Sequence, residues 1–302
     1  MPTPAPPELL DRLMQEMAAA TRVLQADMCA ALERLDGRGR FSSDAWERAG
    51  GGGGVTRVLE EGAVLEKAGV NVSHVHGRMP PGLERRVAGE GGAFAAAGLS
   101  VIVHPQNPFG PTAHANIRLV RRGDAAWFGG GADLTPYYLF EEDCRDFHRA
   151  LRGACERHLP GSYARHKRTA DEYFFLRHRG EHRGVGGIFY EDLGGDLEAE
   201  LRFSVEVARA FLEAYLAVVA RRKDLPHGEA ERRWQEVRRG RYVEFNLLHD
   251  RGTVFGLESG GRTESILVSL PPRVRWEYQR QPEPGSPEEA LLEVLRTPRD
   301  WI

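Results

Sequence analysis

The sequence lacks the short motifs that identify several common classes of protein. Its 302 residues include three cysteines and no CxxC pair, and this small, odd number argues against a disulfide framework and favours a reducing compartment. The glycine run 50–54 is not followed by Gly-Lys-Ser/Thr, and no GxGxxG follows a strand-like segment. Neither a phosphate-binding loop nor a dinucleotide site is therefore indicated, and the HExxH motif of zinc hydrolases is missing as well.

Long apolar segments and a strong charge of one sign are also missing. The most apolar stretch, Ala93 to Val103, is too short to cross a bilayer, which takes about 20 residues. The opening MPTPAPPELL has neither the basic nor the apolar region of a signal peptide. The 41 basic and 44 acidic residues leave a formal net charge of −3, which gives no electrostatic reason to expect binding to nucleic acid or to a membrane. We expect a cytoplasmic protein.

The order of the predicted elements favours an α+β fold in a single domain. Strand-like segments occur in runs separated by turn-length gaps, rather than in strict alternation with helices, which predicts a large, mostly antiparallel sheet. Residues 38–54 are expected to form a loop. Helices are predicted at 7–35, 141–158, 170–178, 196–223, 229–239 and 287–295, and strands at 55–60, 63–67, 70–76, 99–104, 113–120, 125–129, 188–190, 242–248, 253–257, 266–270 and 274–278.

The segment Ala113 to Val120 carries the strongest chemical pattern. Side chains alternate between the two faces of a strand, so His114, Asn116 and Arg118 are expected on one face and the intervening apolar residues on the other. A titratable ring, an amide and a guanidinium that can bind carboxylates are together typical of a binding site. A plain surface strand would alternate in the same way.

Neighbouring segments repeat this chemistry. Ser100 and His104 share a face of the preceding strand, and the chain then turns back, so His104 and His114 are expected side by side. Further on, the glycines 129–131 precede Asp133. This arrangement either lets the backbone approach a flat or bulky ligand or forms a wide turn.

Arginines and a second glycine turn suggest an anionic ligand. The turn 259–265 offers backbone donors and an arginine, or it is a hairpin between two strands. Arginines close to these segments suit a ligand with several carboxylates, or form a solvated basic face; they are Arg118, Arg183, Arg238, Arg239, Arg241 and Arg262. Four histidines on separate elements could bind a divalent metal if they converge, which spacing alone does not show; they are His104, His114, His148 and His178.

Several longer stretches of the sequence are distinctive, namely 52–59 (GGGVTRVL), 65–70 (LEKAGV), 104–108 (HPQNP), 127–136 (WFGGGADLTP), 186–190 (GGIFY), 238–247 (RRGRYVEFNL), 265–267 (SIL) with 270–271 (LP), and 275–278 (RWEY). In order, and over about residues 50 to 302, they resemble the oxygen-dependent coproporphyrinogen III oxidase family. The resemblance implies a broad antiparallel sheet between layers of helices, with residues 1–49 as an N-terminal helix and loop and 50–302 as the catalytic domain. It also implies conversion of coproporphyrinogen III to protoporphyrinogen IX, in which two propionates become vinyl groups while O2 is consumed and CO2 is released.

The same resemblance implies roles for individual residues. His114 and Asp133 match catalytic positions, with His114 the proton donor, and residues 242–277 match a region that forms a homodimer. A divalent metal of unspecified identity is implied at His104, His114, His148 and His178, whereas flavin, haem and nicotinamide are not expected, because an electron-rich porphyrinogen can react with O2 directly. Substrate-binding positions are matched by Ser100, Asn116, Ile117, Arg118, Arg183, Gly260, Gly261 and Arg262.

The residues by themselves also leave two other functions open. One is a tetrapyrrole-binding protein without turnover, and the other is a metal hydrolase with histidine ligands. Uptake of O2 with release of CO2, dependent on substrate, distinguishes the oxidase from both.

Overall fold

A computed structural model of the chain describes residues 3–78, 89–258 and 260–302. Within these ranges the helices are α1 (Pro7–Asp36), α2 (Glu141–His158), α3 (Tyr163–Tyr173), α4 (Leu197–Arg222), α5 (Glu229–Leu248), α6 (Arg251–Glu258), α7 (Thr263–Leu267) and α8 (Pro287–Arg296). The strands are β1 (Thr3–Pro4), β2 (Ser42–Glu47), β3 (Gly52–Glu60), β4 (Leu65–Arg78), β5 (Ala93–Pro105), β6 (Thr112–Arg122), β7 (Ala125–Thr135), β8 (Phe175–Leu176), β9 (Glu181–His182) and β10 (Gly186–Leu193).

One large antiparallel sheet dominates the fold. Strands β2 to β7 lie side by side in the order of the chain, and the free edge of β7 pairs with β10 and, at its beginning, with the short β1. Strands β8 and β9 form a separate two-stranded ribbon. The predicted α+β fold with a large antiparallel sheet is confirmed.

The apolar face of the sheet packs against α1 and α4. Alternate residues of β5 and β6, among them Val101, Val103, Ala115 and Ile117, are almost completely buried in the core on this side. Helix α2 packs against α4 in the layer beyond. Removal of these side chains from water is the main stabilising contribution to the fold.

The opposite face, called the polar face below, is covered in part by α5 and by the segment from α7 to Leu270. The Nζ atom of Lys67 donates a hydrogen bond to the carbonyl of Leu270 (3.1 Å), and the rings of His104 and Tyr242 meet edge to face at 5.5 Å. Gly69 allows this close cover, because a Cβ atom there would lie 3.0 Å from Val268. Helices therefore flank the sheet on both faces, as predicted.

The prediction of strands between 242 and 278 is wrong. Helix α5 continues without a break to Leu248, with Tyr242, Phe245 and Asn246 on its buried side and Leu247 exposed, which is the three-and-four spacing of a helix. The predicted strands 253–257 and 266–270 fall in α6 and partly in α7, and 274–278 lies in neither a helix nor a strand. The glycine turn consequently joins two helices rather than two strands; its first residue, Ser259, lies outside the described residues.

Smaller differences concern segments that contain glycine. The predicted loop 38–54 contains β2 and the beginning of β3, and the glycines 129–131 lie within β7 instead of in a turn. The two strands predicted at 63–67 and 70–76 belong to one strand, β4. The helix predicted at 170–178 overlaps only the end of α3, which stops at Tyr173. Glycine is needed inside β7, since a Cβ atom on Gly130 would lie 2.4 Å from the carbonyl oxygen of Asn116.

Four of the predicted helices are confirmed to within one residue at each end, namely α1, α2, α4 and α8. Within the described ranges, no helix is long and apolar enough to span a membrane.

Candidate active site

The polar face brings together the residues predicted on alternate positions of β5 and β6. Ser100 on β5 is paired with Asn116 on β6, and His114 lies between Ile102 on β5 and Asp133 on β7. The predicted alternation of the 113–120 segment is confirmed. His104, however, is displaced along β5 and is paired with Lys67, so it is not the direct neighbour of His114 that the sequence predicted.

A buried ion pair lies at one end of this face. Arg183, in the loop between β9 and β10, donates one hydrogen bond to Asp133 Oδ1 (2.7 Å) and another to Asn246 Oδ1 on α5 (2.7 Å). The Nδ1 atom of His114 lies 3.4 Å from the same oxygen of Asp133. Residues of β6 and of the loop between β9 and β10 thus meet at one carboxylate of β7.

Aromatic rings surround the cation of this pair. The Cζ atom of Arg183 lies 4.3 to 4.7 Å from the ring centres of Phe174, Tyr242 and Phe245. Ring faces attract a cation, and the attraction grows when water is excluded. Arg183 is therefore held rigidly against Asp133.

Asp133 is an ionised carboxylate despite its burial. Burial by itself opposes ionisation, but the charge of Arg183 and the hydrogen bond from His114 outweigh it and lower the pKa of the carboxyl below its usual value. An ionised carboxylate in a dry site is a strong acceptor for N–H donors.

Several positions of the polar face around these side chains are glycines. Gly129 and Gly131 share the face with Asp133, and the cross-strand partners of Arg118 and Asp133 include Gly98 and Gly187. We call the surface between Arg118 and Asp133 the floor. Because its glycines carry no side chains, the guanidinium of Arg118 and the ring of Phe189 lie directly against the backbone, 3.0 Å from the Cβ position of Gly129 and 3.2 Å from that of Gly131.

A second group of charges borders the floor. Arg118 donates to Glu191 Oε1 and to Asn116 Oδ1, each at 3.2 Å, and Arg251 lies 2.8 Å from Glu191 Oε2. The guanidinium of Arg251 also lies 4.8 Å from the ring centre of Tyr173. Glu191 therefore holds two guanidinium groups at a position where a ligand carboxylate could take its place.

The family model described as coproporphyrinogen III oxidase matches residues 16–301. The chain belongs to the coproporphyrinogen III oxidase family. The match covers nearly the whole chain, which assigns it to the oxidoreductases of porphyrin and haem biosynthesis and identifies coproporphyrinogen as the substrate. The family resemblance inferred from the sequence motifs is confirmed.

Several residues of the candidate site were missed by the sequence analysis. Glu191 follows Phe189 by two residues on β10, and this strand spacing could have placed both side chains on the face that borders the floor. Arg251 and Asn246 had no usable signal, because their segments were predicted as strands, or as the loops between them, instead of helices.

Not all of the predicted ligand arginines are available to coproporphyrinogen. Arg238, Arg239 and Arg241 pair with carboxylates inside the protein, at 2.7 Å from Glu181, 2.6 Å from Glu66 and 3.0 Å from Glu244. For these three, neither a ligand role nor a solvated basic face fits. Arg118 and Arg262 remain more than one-third exposed (39% and 34%).

The four histidines that the family resemblance implies as metal ligands do not come together. His104 donates from Nε2 to the carbonyl of Ser269 (2.9 Å), and its Nδ1 lies 2.8 Å from Thr112 Oγ1. Burial, with Arg239 nearby, keeps the pKa of His104 well below its usual value, so the ring is neutral. Both ring nitrogens already have partners.

The other three histidines have different partners. His148 donates to the Val185 carbonyl and contacts Tyr163, and burial lowers its pKa to about 4. His178 contacts Glu244 and His249 at a different place, while His114 faces Asp133. In the part of the chain that the structure describes, no three His, Cys, Asp or Glu side chains form a cluster able to hold a metal. The residues present do not fit a four-histidine site.

The remaining substrate positions implied by the resemblance lie on two sides of the polar face. Gly260 and Gly261 join α6 to α7, and Arg262 precedes α7 and forms an ion pair with Asp44 on β2. The side chain of Ile117 is buried in the core on the apolar face, so only its backbone is available to a ligand.

Proposed function

We propose that this protein converts coproporphyrinogen III to protoporphyrinogen IX with O2 as the oxidant. The observation that carries the proposal is the ionised, buried Asp133 on a glycine floor, with His114 and Arg118 beside it. Each step converts one propionic acid and one O2 into a vinyl group, CO2 and H2O2, which balances atoms and electrons. Two such steps give the product.

Asp133 is suited to hold the centre of the macrocycle. A porphyrinogen presents pyrrole N–H groups toward its centre, and these donate to an anionic acceptor. The pair with Arg183 keeps the carboxylate charged and fixed before substrate arrives, so little reorganisation is needed on binding.

His114 is suited to move a proton. Its Nδ1 faces Asp133, which orients the imidazole, and no described residue forms a hydrogen bond with its Nε2. A histidine held in this way can donate or accept a proton at a substrate on the polar face.

Arg118 is suited to bind a propionate. Its planar guanidinium can form two parallel hydrogen bonds with a carboxylate, and it already donates one to Glu191. Fixing one propionate selects which side chain lies next to His114.

The proposed mechanism contains no step at a metal, because the four histidines have different partners and form no cluster among the described residues. Substrate binding and proton transfer are assigned to side chains alone, and the electrons come from the electron-rich pyrrole. A metal requirement stays a prediction from the family resemblance and is tested together with the reaction.

The test is turnover of reduced coproporphyrinogen III, with and without O2, in the presence of a chelator. We expect a colourless protein that consumes O2 and releases CO2 and H2O2 in equal amounts, and that stops when O2 is removed. A carrier protein would bind the tetrapyrrole without these products. Equal turnover without O2 would contradict the proposal, and a loss of activity that only added metal restores would return the metal to the mechanism.

We also propose a homodimer through residues 242–277. Large apolar side chains that remain exposed are concentrated there: Leu247 (43%), Leu248 (62%), Leu257 (40%) and Trp276 (54%), with Tyr278 (93%) directly after. Exposed apolar patches of this kind mark protein interfaces.

Replacing Leu248 with Asp is expected to dissociate the dimer, because a charge buried in an apolar interface without a partner is strongly unfavourable. We expect the dissociation constant from sedimentation to rise by at least about tenfold, since each 1.4 kcal/mol corresponds to a factor of ten. Val23→Asp is the matched control, since Val23 is also exposed (55%) but lies on α1. A wild-type protein that stays monomeric and active at all concentrations would refute the interface.

A further inference from the structure

The loop that carries Arg183 consists largely of glycine. Residues 183–187 read Arg-Gly-Val-Gly-Gly, and Gly186 has a φ angle of +78°. A Cβ atom on Gly184 would lie 2.2 Å from the carbonyl oxygen of Leu134, so the loop runs directly against β7. Glycine leaves the backbone free to adopt many conformations. The position of Arg183 therefore depends on the contacts that other parts of the chain make with this loop.

The carbonyl of Val185 in this loop accepts hydrogen bonds from two side chains. Nε1 of Trp301 donates to it (3.3 Å), and so does Nε2 of His148 (3.1 Å), since a carbonyl oxygen can only accept. The backbone N–H of Val185 donates in turn to the carbonyl of Leu134, the residue after Asp133 (3.0 Å). Val185 is therefore fixed on one side to the strand of Asp133 and on the other side to the end of the chain.

A second contact with the end of the chain lies on the other side of Arg183. Nδ1 of His182 donates to the carbonyl of Leu295 in α8 (2.8 Å). We call residues 287–301 the C-terminal segment. The stretch that contains Arg183 is thus hydrogen-bonded to the C-terminal segment both before and after the arginine.

The C-terminal segment can act as a fixed support because it is packed into the core. Leu291, Leu295 and Trp301 are almost completely buried there. The indole of Trp301 also lies against the imidazole of His148, with the ring centres 6.3 Å apart and the planes inclined by 32°. An indole has one hydrogen-bond donor and no acceptor. The single hydrogen bond that the Trp301 side chain can form therefore goes to the Arg183 loop.

We propose that Trp301 is a positioning residue for the reaction, which acts through Arg183 on Asp133. This inference rests on the proposed function. Trp301 holds the carbonyl of Val185, and the loop in turn holds Arg183 at 2.7 Å from the carboxylate. A charged group stabilises a transition state best when it is fixed before the substrate arrives. A displacement of about 1 Å, even when it is caused far from the reacting atoms, can lower the rate about 100-fold.

The decisive variant is Trp301→Phe, which removes the indole N–H and keeps an aromatic ring in the core. We expect kcat to fall about 10-fold to 100-fold, with KM for coproporphyrinogen III within about twofold of the wild type. KM is preserved because Arg118, which is proposed to bind a propionate, lies outside the loop. The melting temperature should also fall, because one buried hydrogen bond is lost. A purely structural tryptophan would lower the melting temperature and leave kcat of the folded protein unchanged.

Trp234→Phe is the matched control. The indole of Trp234 is also buried and also donates to a backbone carbonyl, that of Tyr137 (2.7 Å), but it does not contact the Arg183 loop through this bond. The same substitution therefore breaks the same kind of hydrogen bond at another place. We expect a lower melting temperature with kcat unchanged.

A double-mutant cycle with Arg183→Met shows whether Trp301 acts through Arg183. Methionine is unbranched like arginine but carries no charge. We expect Arg183→Met alone to lower kcat, and Trp301→Phe to lower it no further in that background, because no cation remains to be positioned. The same fold decrease from Trp301→Phe in both backgrounds would overturn the proposal.

Hydrogen exchange followed by mass spectrometry tests the support of the loop without turnover. In Trp301→Phe, the amides of residues 183–187 should exchange several-fold faster than in the wild type, whereas Trp234→Phe should leave their exchange unchanged. This comparison also decides the case in which Arg183→Met does not fold. If the wild type shows no turnover with O2, the proposed function fails and the exchange rates still test the support. Wild-type exchange and wild-type kcat in a folded Trp301→Phe variant would overturn the inference.

Discussion

Replacing Asp133 with Asn is expected to lower kcat by about two to four orders of magnitude, the usual contribution of a positioned proton-transfer group. The variant loses the anionic acceptor for the pyrrole N–H groups and the charge that orients His114. It should also lower the free energy of unfolding by about 3 kcal/mol, because Arg183 is left buried without a counterion. Steady-state turnover and urea unfolding measure the two effects separately.

Asp143→Asn provides the control for this experiment. Asp143 is also buried and also accepts hydrogen bonds from arginine, from Arg221 and Arg222 at 2.7 Å each, but it lies on α2, away from the polar face. We expect a loss of stability with kcat preserved. A full turnover rate in Asp133→Asn would remove Asp133 from the mechanism.

The same carboxylate predicts how stability depends on pH. The pKa of Asp133 is lower in the folded protein than in the unfolded chain, so its contribution is fully present above the unfolded value of about 3.9 and is lost as the pH falls through the folded value. Between pH 7 and pH 3, Asp133→Asn should therefore lose less stability than the wild type. Urea unfolding across this range gives the comparison.

Replacing Arg118 with Ala is expected to raise KM by about 10-fold to 150-fold, because one propionate loses a charged hydrogen-bonding partner worth about 1.5–3 kcal/mol. The remaining guanidinium of Arg251 stays paired with Glu191, so the fold should be unaffected. Initial rates over a range of coproporphyrinogen III concentrations measure the effect.

Arg118→Lys separates charge from shape in this interaction. Lysine keeps the positive charge but lacks the planar fork that binds both carboxylate oxygens, so we expect an intermediate KM. An unchanged KM in Arg118→Ala would show that the propionate binds elsewhere on the floor.

The part of the site built by strand alternation could be predicted from sequence, because the pleat of a strand is a local property. His114, Asn116 and Arg118 share a face by their spacing alone. The register between β5 and β6 was not predicted, since the sequence suggested His104 beside His114, whereas Ile102 is paired with His114 and Ser100 with Asn116. Local spacing therefore sufficed for the two faces of β5 and β6, but not for the register between them.

Contacts between distant segments could not be predicted in this way. The side chains Val243, Phe245 and Leu247 alternate like a strand, yet Tyr242, Phe245 and Asn246 have the spacing of a helix, and burial decides between the two patterns. Once this segment is predicted as a strand, the contact of Asn246 with Arg183 can no longer be predicted. The buried pairs of Arg238 and Arg239 likewise depend on tertiary structure that the sequence does not display.

Strands β2 to β7 pair with their neighbours in the sequence, so most of the sheet can assemble through successive hairpins. Contacts between nearby residues form quickly, because closing a short loop loses little chain entropy. Arg183 lies 50 residues after Asp133 and 63 residues before Asn246, so its two partners are brought to it only when distant parts of the chain dock. During folding, the sheet can form while the carboxylate of Asp133 still lacks a cation, whereas the candidate site cannot form before the sheet.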